Sequence, residues 1–138
     1  MANIGKAIQT ILASDSGVSA LVSTRIYPDR LPQNVTYPAI VFEHNGERSD
    51  EHMGGLSGLA DSYFDVFCWA KSRLATVDLA DAVRLALSRY NGTAGGVVVR
   101  QIHPGEGRTD HDEPSDDSDV PTYWQEREFH AFYTEATS

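Results

Sequence analysis

The stretch of this sequence whose residue types could most readily do chemistry is GEGRTDHDEPSDDSD, residues 105–119. Its one base is Arg108, and its seven acids are Glu106, Asp110, Asp112, Glu113, Asp116, Asp117 and Asp119. Clustered carboxylates bind Ca²⁺ or Mg²⁺ when fixed spacing and a central glycine shape the loop, as in an EF-hand. No glycine stands at that place, and Pro114 interrupts the run. The pattern therefore favours a solvated loop of mutually repelling charges over a metal site.

The histidines and the single cysteine offer no catalytic arrangement either. Neither an HExxH motif nor any other pair of histidines four residues apart occurs among His44, His52, His103, His111 and His130. A lone cysteine excludes an intrachain disulfide, and Cys68 lies in an apolar stretch, where a buried and unreactive thiol is expected. The serines lack a GxSxG context, and the glycine pairs at 54–55 and 95–96 match no phosphate-binding loop. The sequence therefore predicts no catalytic residue, no cofactor and no metal.

The net charge of −9 over 138 residues limits the possible partners. The acidic stretch supplies −6 of this charge, and the 11 basic residues are scattered. Tight binding of nucleic acid needs clustered lysines and arginines, so the sequence argues against it. An apolar content of 41% predicts one domain with a buried core. No apolar run reaches the ~20 residues of a membrane span and no convincing signal peptide is present, so we expect a soluble protein made in a reducing compartment.

Two helices must help to position these residues. Residues 3–13 carry apolar side chains at helical spacing, and the polar residues 14–17 offer a cap for a further turn. Residues 72–90 repeat this spacing, and the Asn-Gly pair that follows is a helix stop. The predicted buried stripe of this second helix consists of Leu79, Val83, Ala86, Leu87 and Tyr90.

Alternating and β-branched or aromatic residues predict the strands. The strand at 62–69 is largely apolar on both faces, which predicts a central position in the sheet. Glycines predict a mobile loop over 48–58, and the acidic stretch is predicted to be the loop between the last two strands. The predicted strands are an edge strand at 25–27 and longer strands at 39–45, 62–69, 97–103 and 122–133.

The order of these elements is α, β, β, β, α, β, β, with loops joining neighbouring strands. It predicts a single α+β domain over residues 1–138, with a mostly antiparallel sheet of four to five strands and two helices packed on one face. Several aromatic residues could form a base-stacking platform, but few cations lie near them in the sequence, so core or subunit contacts are favoured. These residues are Trp69, Trp124, Phe129, Phe132 and Tyr133.

A series of segments resembles one known family. The N-terminal helix precedes GVSALVSTRIYPDRLPQ and YPAIVFEHNGER. A glycine-rich loop then leads to the strand DSYFDVFCWA, a helix with LADAVRLAL, the NGTAGG connection and the final strands. Over nearly the whole chain this order resembles the tail completion, or tail terminator, proteins of long-tailed bacteriophages and related prophages. The most specific parts are RIYP…LPQ…PAIVF and the aromatic FDVFCWA strand.

The resemblance implies a structural virion protein without enzyme activity or cofactor. Its members are small α+β subunits that form a ring, typically hexameric, which caps the head-proximal end of the tail tube once its length is fixed. The implied partners are further copies of the chain, the tail tube protein and the head-side connector or stopper. DNA passes through the ring without being read. The implied location is the virion tail, with assembly in the host cytoplasm and no membrane contact.

Two polar segments hold the candidate interface or lumen residues. The loops at 48–58 and 105–119 are too polar or too flexible for a core, and a ring needs exposed loops or sheet edges. An acidic lumen would also repel the phosphates of passing DNA. The candidates are Arg48, Asp50, Glu51, His52, Met53, Asp110, Asp112, Glu113, Asp116, Asp117 and Asp119.

Three other functions stay open at this point. The chain could be the head-side completion or stopper protein of the neck, which pull-down with tail tubes against DNA-filled heads would separate. It could be a small metal-dependent hydrolase using His111 and neighbouring acids, which metal analysis would detect. It could also be a small acidic adaptor that mimics nucleic acid, whose binding to a basic partner would be salt-sensitive.

Overall fold

Three helices and six strands follow one another in the computed structural model, which describes residues 4–49, 59–112 and 122–135. The helices are α1 (Ile4–Ser14), α2 (Ser16–Val22) and α3 (Arg73–Ser88). The strands are β1 (Ile26–Pro28), β2 (Ala39–Ser49), β3 (Leu59–Ala70), β4 (Gly92–Ala94), β5 (Val97–Asp112) and β6 (Thr122–Glu135). None of the described helices is long and apolar enough to cross a membrane.

The N-terminal helices form as the apolar spacing predicts. The stripe of α1 is buried throughout, which confirms the helix predicted at 3–13. Asp15 then caps α2, because its carboxylate accepts a hydrogen bond of 2.9 Å from the backbone N–H of Val18. Val18 and Val22 of this second short helix are buried. The polar residues after α1 therefore start a helix as well as ending one.

Helix α3 packs its predicted stripe on the sheet. Its N-cap is Ser72, whose hydroxyl accepts a hydrogen bond of 3.2 Å from the N–H of Ala75. The helix ends at Ser88, slightly before the predicted end, and Tyr90 packs partly buried against the core. The buried residues of α3 are Thr76, Leu79, Ala80, Val83, Ala86 and Leu87.

The sheet has the order β1-β2-β3-β6-β5-β4 and departs from the predicted sheet in two ways. It has six strands where four to five were predicted, and the helices of the described chain number three where two were predicted. The additional strand β4 has only three residues, too few for a visible alternation. Strand β1 runs parallel to β2, whereas all other pairs are antiparallel as predicted. The α+β class is confirmed in this broader form.

Two strands extend beyond their predicted ends into the predicted loops. Strand β2 continues past residue 45 to Ser49, and β5 continues past residue 103 to Asp112. Residues 105–112 therefore belong to a strand, and the prediction of a loop over all of 105–119 was wrong for this half. The reason is long-range pairing: β6 offers a full-length partner to β5, and a register shift between Pro104 and Gly107 absorbs the unfavourable residues.

The core lies between the helices and one face of the sheet. Phe64, Val66 and Cys68 of β3 point into it, and the ring of Phe64 stacks on Phe129 of β6 with centroids 5.6 Å apart. Their alternation along β3 confirms the predicted division of that strand into two faces. A buried hydrogen bond of 2.8 Å joins the hydroxyls of Ser62 and Tyr133, so each of these two hydroxyls has a partner.

The hairpin between β4 and β5 fixes the sheet against α1 through Gly95. This residue has φ = 57°, and a Cβ placed on it would lie 2.5 Å from the backbone nitrogen of Ala7. Only glycine combines this left-handed backbone with so close an approach. The second glycine of the turn, Gly96, also has a positive φ of 83°, as hairpin turns of two residues require.

Replacing Gly95 with alanine should destabilise the fold by about 2 kcal/mol or more, since the new methyl group meets the α1 backbone and the φ is strained. Urea unfolding followed by circular dichroism measures this loss. Gly5→Ala, which adds a methyl group within α1, is the control and should stabilise by about 0.5 kcal/mol. Equal stability of Gly95→Ala and the wild-type chain would contradict this packing.

Candidate interaction face

The face of the sheet that points away from the helices is the candidate functional site. The described helices contact only the side chains on the core side, so within residues 4–49, 59–112 and 122–135 no helix covers the opposite side. We call this opposite side the open face. Its side chains are Val41, Glu43, Asp61, Tyr63, Asp65, Phe67, Trp69, His103, Arg108, Trp124, Glu126, Glu128, His130 and Phe132.

A row of carboxylates crosses the middle of the open face. Glu43 on β2 pairs with Asp65 on β3, and Asp65 pairs with Glu128 on β6. Glu126 lies two residues from Glu128 on the same side of β6. We call these four residues the acidic row. Like charges on directly opposed strand positions repel each other, so the fold maintains this row at a cost in stability.

The surroundings of Glu43 affect the pKa of its carboxyl group. Burial raises the pKa of its carboxyl group above the ordinary value of 4.5, and the charges of Asp65, Asp29 and Glu126 raise this pKa further. Each of these carboxylates favours the protonated form of Glu43. The middle of the open face therefore has an excess of negative charge that a positively charged group could relieve.

Arg108 partly neutralises this charge from β5. Its Nε and Nη2 both lie 2.6 Å from Oε1 of Glu126. The carboxylate side chain is 11% exposed, whereas that of the arginine is 73% exposed. A depression of about 220 Å³ lies beside this ion pair. It is lined by the two paired residues and by Asp65, Glu106, Gly107 and Glu128. Among the side chains that line this depression, Arg108 is therefore the single cation beside four carboxylates.

Aromatic side chains lie on one side of the acidic row. Trp124 contacts Phe67 and Trp69, with centroid distances of 5.7 and 6.2 Å. Next to them, a groove of about 300 Å³ runs to the loop after β1 and is mostly apolar. It is lined by Asp29, Arg30, Leu31, Val41, Glu43, Phe67 and Trp69.

A second aromatic cluster lies on the other side of the row. The ring of His130 stacks on Tyr63 at 4.0 Å and contacts Phe132 at 4.3 Å, and Phe132 meets His103 edge-on. The Nε2 atom of His130 lies 2.6 Å from Oδ2 of Asp61, so this histidine has a structural partner. The open face thus combines two aromatic clusters with a central band of carboxylates.

A second exposed apolar surface lies on the outer side of α2 and α3, away from the sheet. Leu74 is 77% exposed, and Leu21, Val77 and Leu85 are each exposed by more than a third. Two arginines, Arg84 and Arg89, flank Leu85. We call this region the helical outer surface; it consists of Leu21, Leu74, Val77, Arg84, Leu85 and Arg89.

Three of the residues predicted for an interface or lumen have strand positions in the structure. Arg48 lies in β2, where it pairs with Asp61, and Asp110 and Asp112 lie in β5, where they pair with Trp124 and Thr122. The remaining candidates lie outside the described residues. They are Asp50, Glu51, His52, Met53, Glu113, Asp116, Asp117 and Asp119.

The acidic row was missed because its members come from three separated segments of the sequence. Only the register of β2, β3 and β6 brings them together. A signal existed in the alternation of acids with aromatics in YFDVFCW and WQEREFHAFY, which is unusual for a solvated face. Of the aromatic residues predicted to make core or subunit contacts, Phe129 and Tyr133 are in the core, whereas Trp69, Trp124 and Phe132 line the open face.

Among the described residues, neither the cysteine nor a metal-ligand cluster offers a reactive group. Burial raises the pKa of the Cys68 thiol to about 12, so the neutral thiol predominates and is a poor nucleophile. Among the described residues, no three or more His, Cys, Asp or Glu side chains converge to hold a metal ion. The described surface has the features of a contact surface, namely aromatic side chains, charged side chains and an apolar groove.

Exposed aromatic, apolar and charged side chains of this kind are typical of a protein that assembles with other chains. The profile of the family described as "Tail completion protein gp17" matches residues 6–120. Among solved structures, a chain of the virion of a native gene transfer agent particle has the same fold, with a TM-score of 0.65 and 15% sequence identity. The match covers 93% of this chain and 92% of that chain. No curated protein sequence matches the chain.

The chain belongs to the tail completion protein family, because the family profile covers most of its length. It is a structural protein of a bacteriophage-type virion and is located in the tail. This family is a class of structural proteins and not a class of enzymes. The predicted family and location are confirmed, and so is the broader prediction of a structural tail protein that assembles with other virion components.

Replacing Glu43 with glutamine should stabilise the fold at pH 7 by about 0.5 kcal/mol, because it removes one charge from the acidic row. The pKa of Glu43 is raised in the folded chain, so its ionisation destabilises the fold at high pH. This cost is absent below the ordinary value of 4.5. The gain should therefore disappear as the pH falls toward 4.

Thermal unfolding of both chains between pH 4 and 8 measures the effect. Asp78→Asn, on the exposed side of α3, removes one negative charge away from the row and controls for net charge. A gain that is absent at pH 7, or equally large at pH 4, would contradict repulsion within the row.

Proposed function

We propose that this protein forms a ring at the head-proximal end of the tail tube, where it ends tail growth and provides the surface that joins the head. The observation that carries this proposal is the family match over residues 6–120. The two exposed surfaces support it, since the open face and the helical outer surface lie on opposite sides of the subunit. Different surfaces on opposite sides are what a closed head-to-tail ring needs.

The ring is proposed to be a hexamer, the usual number that the family resemblance implies. Its other partners would be the tail tube protein on one side and the head-side connector or stopper on the other. Each subunit contributes a single domain of residues 1–138. Arg48 near the end of β2 remains a candidate for contacts with these partners, as do Asp50, Glu51, His52 and Met53, which follow it in sequence.

DNA would pass through the ring without sequence-specific binding. The end of the β5–β6 hairpin carries Asp110 and Asp112, and the residues that follow them in sequence are also strongly acidic. A lumen lined by this hairpin would repel phosphate and keep moving DNA from adhering. We therefore propose that this end of the hairpin faces the channel, with Glu113, Asp116, Asp117 and Asp119 as its lining.

Neutralising Asp116, Asp117 and Asp119 together to asparagine should lower infectivity or tail assembly while leaving the thermal stability unchanged, because the charges act on DNA and not on the core. The matched control replaces the same three residues with glutamate, which keeps the charge and should keep the function. Plaque counts and electron microscopy of the particles give the readout. Normal infectivity of the asparagine variant would contradict a channel role for these charges.

The ring itself is tested by native mass measurement of the wild-type protein, alone and with purified tail tubes. A ring-sized species that binds tubes and not DNA-filled heads supports the proposal. A protein that binds only the heads would instead be the head-side completion or stopper protein. A monomer at every concentration, with or without tubes, would contradict ring formation.

A further inference from the structure

We infer that the open face of one subunit receives the C-terminal half of α3 of the next copy in the ring. This inference rests on the proposed ring and names the pair of surfaces that would close it. It assigns Arg84, Leu85 and Arg89 of one copy to the acidic row and apolar groove of its neighbour.

The distribution of exposed apolar side chains points to two complementary surfaces. In the described chain, the large apolar side chains exposed by more than a third are Tyr63 on the open face and four residues of the helical outer surface. Half-buried aromatic residues surround Tyr63 on the open face. Contiguous apolar area of this kind marks an interface. Because the two surfaces differ, their contact is heterologous and can propagate around a ring.

Charge selects the part of α3 that fits. The acidic row would repel the middle of the helix, where Asp78 and Asp81 lie on the exposed side. The C-terminal end presents Arg84 and, at the C-cap, Arg89 instead. Opposite charges across an interface steer the two surfaces together, so these arginines suit a carboxylate-rich surface.

The two arginines lie on either side of Leu85. Arg84 and Arg89 are five residues apart, which corresponds to a rise of roughly 7.5 Å and a rotation of roughly 140° beyond one full turn. Glu43 and Glu128 are separated by two strand spacings, roughly 10 Å. Leu85 lies between the arginines in sequence, and the groove beside Glu43 has about 300 Å³ of space, enough for one aliphatic side chain.

The two internal segments outside the described residues have the wrong charge to cover this face. Residues 50–58 contain two acids, one histidine and no lysine or arginine, and residues 113–121 contain four acids and no lysine or arginine. Either segment would add repulsion at the acidic row. A second copy, in contrast, brings two arginines and a leucine.

The test is a charge exchange between the two surfaces. One variant carries Glu43→Lys and Glu128→Lys, and the other carries Arg84→Glu and Arg89→Glu. Each alone should place like charges across every interface and weaken ring formation by about tenfold or more. Mixed in equal amounts, they should restore rings that contain both variants, which native mass spectrometry resolves. Lys6→Glu with Arg100→Glu is the control and should leave the ring intact.

Rings of wild-type strength from both variants, or no recovery in the mixture, would overturn the inference while leaving the proposed ring in place. Absence of a ring from the wild-type chain would overturn both.

Cysteine crosslinking gives a second measurement that does not depend on charge reversal. A chain with Glu128→Cys and Arg89→Cys should form intersubunit disulfides under a mild oxidant, whereas Glu128→Cys with Arg100→Cys should not. Cys68 is buried and can remain. Failure of the first pair to crosslink within assembled rings would contradict the contact.

Discussion

The structure depends on the pairing of β6 along nearly its full length with β3 on one side and β5 on the other. This pairing fixes which side of three strands meets the helices. On the core side, Phe129, Ala131 and Tyr133 complete the apolar layer that α1 and α3 cover. A shift of one residue would place Glu126 and Glu128 in that layer instead, so the register is strongly specified.

The same register creates the open face. Because the core-side residues of β6 are fixed, Trp124, Glu126, Glu128 and His130 must lie on the other side, next to their equivalents on β3. The result is a surface that is too apolar for an ordinary solvated sheet face and too charged for a core. Such a surface suits a protein that completes its packing through assembly, as expected for a structural protein of the virion tail.

The sequence predicted those elements whose signal is local. The stripe of α1, the buried side of α3 and the two faces of β3 follow from spacing within one segment, and the structure confirms them. The length of β5 was not predictable in this way. The part that begins at Pro104 contains two glycines and several charges, and it is a strand because β6 supplies the hydrogen-bonding partner.

The candidate site was predictable only in kind. The sequence shows no catalytic motif, and the family resemblance indicated the virion context. The acidic row could not be located, because Glu43, Asp65 and Glu128 are neighbours only through strand register. Residues 105–119 stood out instead, because their charges are close together in the sequence. The charges of the acidic row come together only in the folded sheet.

We propose that this protein acts by assembling into a ring at one end of the tail. Electron microscopy of tails that carry a tagged copy of the chain tests it most directly. The account predicts one ring of label at the head-proximal end of each tail, and tails of uncontrolled length when the protein is missing. Label distributed along the tube, or tails of normal length that join heads without the protein, would contradict it.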